Sequence, residues 1–179
     1  MTPESLPSLE ALAKSRKLRL HPVQMDLLRK IDAFGWTVIG VSAPVGDVPS
    51  APFAYTIGLS RLGVPELFVS GLPSRVAGSI LNDLGRLAKG GTSLRSGRLD
   101  DVLANDVPLE LRPFDESRAQ EFLGQLIWFT DTFADGIMPS VMQVVWPDKN
   151  GHFPWDAALG AKDRADFERI QPLTLARLN

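Results

Sequence analysis

The chain contains no cysteine, only two histidines and a single tyrosine among 179 residues. The missing thiols exclude disulfides, thiolate nucleophiles and cysteine-ligated zinc or iron–sulfur centres. Two histidines do not supply a closed zinc site, so no structural metal is expected. Asp148, His152 and Asp156 form the one candidate open site. Any phenol chemistry must come from Tyr55. No apolar run is long enough to span a membrane, and the N-terminus lacks the apolar core of a signal peptide. The expectation is a cytoplasmic protein without a membrane partner. A basic excess is also lacking: 19 Lys and Arg face 21 Asp and Glu. That argues against a nucleic-acid partner, which requires a dominant basic face. The cluster Lys14, Arg16, Lys17 and Arg19 reads as a solvated face. No phosphate-binding loop, dinucleotide fingerprint, nucleophile elbow or paired-histidine zinc motif is present. Asp148-Lys149-Asn150-Gly151 fails as a calcium loop, because its glycine comes at the fourth position and not the sixth.

With 44% hydrophobic and 22% charged residues, the composition is that of an ordinary globular domain. The densest concentration of specific chemistry runs from Gln143 to Asp156. Val141 to Trp146 is apolar and β-branched, as a buried strand would be. Pro147 cannot donate to a sheet ladder and ends it. Asp148 to Gly151 then has turn chemistry. His152, Phe153 and Trp155 suggest a returning extended run, interrupted by Pro154. In such a hairpin Trp146 and Trp155 approach one another. The pair reads either as an aromatic clasp closing the core or as the wall of a ligand site.

Residues 1–20 read as an N-terminal helical extension and 21–179 as one α+β domain. A short helix is expected between Ser5 and Arg16. A second opens at His21-Pro22, carries Val23, Leu27, Ile31 and Phe34 on one face, and ends at Gly35. Strands follow over Trp36–Ser42 and Phe53–Leu59, with a loop over Ala43–Pro52. Tyr55, Ile57 and Leu59 share one face. The other, Ala54, Thr56 and Gly58, is small enough for close packing. Glu66–Gly71 forms the third strand, antiparallel to the second, with Glu66 a carboxylate at the mouth of an apolar strand. It either bonds neighbouring groups or, with its pKa raised by burial, serves as a base.

The longest helix runs from Ser74, read as its N-cap, to about Lys89, with Val76, Ile80, Leu84 and Leu87 on one face. Ser70, Ser74 and Arg75 are a candidate anion site at its start, although capping explains the same residues. Thr92–Val107 reads as a surface excursion and Pro108–Phe114 as a strand. Ser117 and Gln120 have capping-box spacing. A helix rich in Phe and Leu follows. Asp163–Ile170 is a short helix, and Gln171-Pro172-Leu173 begins an extended tail.

One set of motifs spans most of the chain in order: Gly35-Trp36, Ala54-Tyr55-Thr56-Ile57-Gly58-Leu59, Pro65-Glu66-Leu67, Gly71-Leu72, Trp146-Pro147-Asp148, Phe153-Pro154-Trp155 and Gln171-Pro172-Leu173. In these the chain resembles, from about residue 24 to 173, a bacterial family known as domain of unknown function 4262. That family often shows a histidine before its Pro-Glu-Leu, where this chain has Val64. The resemblance implies no reaction and no cofactor.

The expected fold is therefore α+β, a mostly antiparallel sheet with helices packed against it. The element order bears some likeness to split barrels that bind flavins, a fold analogy only. Two functions follow. One is a non-catalytic binding module that holds a small molecule or a protein partner, with a homodimer left open. Its site would be Tyr55, Thr56, Glu66, Trp146, Asp148 and Trp155, converging on one concavity. The other is a small-molecule enzyme, dependent on a flavin or nucleotide, with a phosphate at Ser70, Ser74 and Arg75 and the aromatics stacked on a ring.

Overall fold

Alternating apolar runs and turn residues produce six strands in the computed structural model, which describes residues 6–42, 51–102 and 106–175. They are β1 (Thr37–Val41), β2 (Phe53–Ile57), β3 (Glu66–Ser70), β4 (Gly97–Leu99), β5 (Leu109–Pro113) and β6 (Val141–Val145). The helices are α1 (Leu9–Ser15), α2 (Pro22–Phe34), α3 (Ser74–Lys89), α4 (Ala119–Phe122), α5 (Gly124–Phe133) and α6 (Ala161–Ile170). One open sheet has the order β1-β2-β3-β6-β5-β4. Every neighbouring pair is antiparallel except β3 and β6, which run parallel. The architecture is a single α+β domain, and the sheet does not close toward a barrel. No helix among the described residues is long and apolar enough to cross a membrane.

Period-two alternation divides the core between the two faces of this sheet. On one face Ala54, Leu67, Val69, Leu109, Leu111, Met142 and Val144 pack with Ala77, Ile80, Leu81, Leu84 and Ala88 of α3. On the other, Tyr55, Ile57, Phe68 and Val141 meet residues of α1, α2, α4 and α5. The central strands β3 and β6 are buried at every position, which explains why both read as nearly continuous apolar runs. The small face of β2 is used for close packing, since Ala54 lies under α3.

Local chemistry explains the helix ends. His21 starts α2 with a capping box: its ring accepts from Val23 N, and Gln24 accepts from His21 N. Gly35 closes α2 in the left-handed region at φ 99°, where glycine carries no Cβ penalty. Asp32 docks α1, accepting bonds from Leu9 N, Glu10 N and Ser8 Oγ. Burial pushes the Asp32 carboxyl upward, but those bonds and Arg61 outweigh it and hold the group below its ordinary value.

Several expectations change here. The start of α3 is capped from Pro73 with no side-chain bond, so Ser74 is the first helical residue and not its cap. Ser74→Ala is accordingly expected to change stability by less than about 0.5 kcal/mol, measured by urea denaturation. A loss above about 1 kcal/mol, the usual cost of removing a cap, would restore the capping role. Ser117 and Gln120 form no capping box; Asp115 accepts from Ser117 N and Ser117 Oγ. The excursion after Thr92 contains the edge strand β4. Val76, expected in the buried stripe of α3, is 45% exposed. Residues 43–50 of the expected loop and 103–105 of the excursion lie outside the described residues.

Candidate functional site

Glu66 is completely buried, and its carboxylate accepts every bond that it makes. Its Oε2 takes the Thr56 hydroxyl at 2.6 Å. Its Oε1 takes Gly58 N, Ser60 N and the Ser60 hydroxyl at 2.8–2.9 Å. The Thr56 oxygen in turn accepts from Leu67 N, so its proton is aimed at Glu66. Gly58 needs such an anchor because its φ is +114° and a Cβ there would lie 2.7 Å from Gly35 O. Thr56 and Glu66 therefore hold the turn after β2 against the end of α2. Of the two roles read for Glu66, the structure shows the bonded one.

Tyr55 lies on the opposite sheet face from α3, within the cluster of Phe53, Phe68 and Phe122. Its hydroxyl accepts from Gln125 N at 3.2 Å. Burial pushes the phenol above its ordinary value, only partly offset by that N–H, so it is poised as a neutral core residue.

The aromatic stretch is not a hairpin. After β6 the chain closes a side-chain-bonded turn in which Asp148 Oδ1 accepts from Asn150 N and His152 N. Asp148 N also donates to His152 O. Asp156 likewise accepts from Phe153 N. These local bonds replace ladder bonds that a returning strand would need. Trp155 stacks on Phe153 at 5.5 Å, with the Arg112 guanidinium 4.2 Å from its ring centre. Trp146 instead packs on Phe167 of α6 and donates from Nε1 to Ser70 O. The two tryptophans thus have separate partners.

The expected convergence of Tyr55, Thr56, Glu66, Trp146, Asp148 and Trp155 on one concavity is not met. Tyr55 belongs to one core cluster, Trp146 packs against the other, and the Thr56–Glu66 pair is sealed by its own donors. Of Asp148, His152 and Asp156, the first two meet, with His152 Nδ1 3.4 Å from Asp148 Oδ2, while Asp156 accepts from Phe153 N. Among the described residues no three His, Cys, Asp or Glu side chains are grouped to hold a metal ion.

Asp148 carries a titration prediction. The His152 amide is the largest influence that lowers its carboxyl below the ordinary value, aided by Asn150 N and the His152 ring and opposed by some burial. A depressed carboxylate stabilises the turn above its unfolded pKa and loses that contribution as pH falls through its folded pKa. The amide protons of Asn150 and His152 should therefore exchange faster as pH drops below the ordinary aspartate range. NMR exchange measured from pH 6 to pH 3, corrected for intrinsic rates, checks this; constant protection would refute it.

Ser70, Ser74 and Arg75 also separate. Ser70 is buried and donates to Pro172 O at 2.7 Å. Ser74 is exposed and faces Gly40 of β1. Arg75 alone lines a hollow, and the phosphate-plus-ring arrangement suited to a flavin is not assembled from these residues.

That hollow is the feature the sequence did not reveal. It has a volume of about 500 Å³ and is lined by Leu72, Arg75, Val76, Ser79, Ile80, Asp83, Val107, Leu109, Trp146 and Pro147. Leu72 follows β3, and Trp146 and Pro147 follow β6. The hollow therefore lies outside the carboxyl ends of the parallel pair, the position where open sheets with crossover helices commonly bind ligands. A broader hollow of about 750 Å³ adjoins it, sharing Asp83, but is lined mainly by charged and polar residues including Arg86, Asp101 and Asp106. Volume alone does not choose between them; apolar walls with few polar groups favour the first.

The C-terminal segment fixes one wall. Gln171 accepts from Trp146 N and donates to Trp146 O at 3.0 and 2.9 Å, so its amide side chain replaces a neighbouring strand. Gln143 holds the tail by donating to Pro172 O and accepting from Thr174 N and Thr174 Oγ.

Together these features define an α+β protein with one open sheet, helices on both faces and a ligand-sized apolar hollow at the ends of its parallel strands. The chain belongs to the family described as domain of unknown function (DUF4262), whose model matches residues 30–159. No curated protein and no solved structure matches it.

Proposed function

We propose that this protein is a non-catalytic binding module that holds a small molecule in the hollow lined by Trp146 and α3. The observation that carries the reading is the composition of that hollow. Its walls are Leu72, Val76, Ile80, Val107, Leu109, Trp146 and Pro147, and its polar side chains are Arg75, Ser79 and Asp83. Asp83 is paired with Arg86, and the Trp146 indole N–H is committed to Ser70 O. This suits retention of a ligand more than acid, base or nucleophilic chemistry. The buried carboxylate that would serve a base, Glu66, bonds elsewhere.

A ligand that binds the folded state raises its stability by mass action, by about 2.7 kcal/mol at a hundredfold excess over Kd. Thermal unfolding against a panel of small apolar and amphiphilic molecules should therefore identify stabilising compounds. Ser79→Trp, on the exposed side of α3, fills the hollow and should abolish those shifts while leaving the unliganded protein folded. Shifts of equal size in the variant would overturn the placement of the site.

A further inference from the structure

Resting on that reading, we infer that the ligand is an amphiphilic anion, an apolar or aromatic body carrying one carboxylate, with the carboxylate held by Arg75. Arg75 is exposed at the first turn of α3 and forms no hydrogen bond or ion pair with any described residue. The hollow's acid, Asp83, already has Arg86 as its partner. The side-chain charge left uncompensated on the walls is thus one guanidinium. A guanidinium presents paired donors that match a carboxylate in two parallel bonds.

The hollow is polarised along its length. Arg75 and Asp83 are eight residues apart on one helix, about 12 Å at 1.5 Å per residue. An anion is attracted to the Arg75 end, because Asp83 at the other end is already paired with Arg86. Between them lie Val76 and Ile80, with Trp146, Leu109 and Pro147 opposite. The Trp146 Nε1 proton is engaged, so its ring offers carbon surface to a ligand body. A span of this length suits a body of about two fused rings or an equivalent branched chain.

Isothermal titration of the full chain at low salt and pH 7 with three probes of one shape tests this: naphthalene-2-acetate, 2-(2-naphthyl)ethanol and 2-(2-naphthyl)ethylamine. The acetate should bind at least tenfold tighter than the alcohol, and the amine most weakly. Arg75→Gln should bring the acetate down to the affinity that the alcohol shows for the same variant; a tenfold preference for the acetate retained in the variant would overturn the role of Arg75. Equal affinities for acetate and alcohol in the unmodified protein would overturn the anion preference while leaving the binding reading intact. Binding of none of the three would overturn both.

Discussion

Glu66→Ala is expected to destabilise the protein by about 3–5 kcal/mol, because it strands several donors whose acceptor is buried. The Thr56 hydroxyl, Gly58 N, Ser60 N and the Ser60 hydroxyl all bond this one carboxylate. Glu66→Gln separates a scaffold role from an acid–base role. A glutamine keeps one oxygen, which can serve Gly58 and Ser60, and turns its NH₂ toward Thr56, whose oxygen can accept. The loss should then be smaller, about 1–2 kcal/mol. Urea denaturation of both variants measures this. A Glu66→Ala protein within about 1 kcal/mol of the parent would show that the turn stands without its anchor, and would reopen a chemical role for the carboxylate.

Gly71→Ala is expected to cost at least about 4 kcal/mol, a magnitude reserved for severe strain or clashes. The residue has φ +82°, and a Cβ built on it would lie 2.0 Å from Ile170 O and 3.0 Å from Gln171 Cα. Both obstacles are backbone, so relief requires moving the end of α6 together with the tail. Moving Gln171 breaks its two bonds to Trp146 and shifts a wall of the hollow. Gly63→Ala is the control: its φ is +76°, with nothing within 4 Å of the added carbon. It should show only the left-handed penalty, about 1–2 kcal/mol. Equal losses in the two variants would mean that the tail yields without cost and that the contact at Gly71 is not structural.

The residues explain which parts of this fold could be read in advance. Phe53–Ile57 and Glu66–Ser70 are legible because β-branched and aromatic residues alternate between clear turns, and the short link forces antiparallel pairing. The parallel pairing of β3 with β6 is not local: Glu66 meets Val141, 75 positions further along the chain, and no spacing signals it. β4 escapes because Gly97-Arg98-Leu99 is short, polar and at an edge. The aromatic hairpin fails because Asp148 and Asp156 use their side chains on nearby amides, where a strand would use its neighbour. The candidate site fails for a related reason. Large aromatics and carboxylates mark Tyr55, Glu66, Asp148 and Trp155, yet each is explained by a bond or stack within the fold. The hollow is built instead from ordinary residues such as Leu72, Val76, Ser79 and Ile80, whose type carries no functional mark. Trp146 and Arg75 are the exceptions, having been singled out from the sequence.

The most direct measurement is a two-dimensional NMR titration of the isotopically labelled full chain with the tightest-binding naphthyl probe, following backbone amides and tryptophan indole N–H signals. Perturbations are expected to concentrate on Leu72, Arg75, Val76, Ser79, Ile80, Leu109 and the Trp146 indole, with the amides of Tyr55, Glu66, Asp148 and Trp155 unmoved. Perturbations centred on Tyr55 and Trp155, with Trp146 and α3 silent, would contradict this placement of the site.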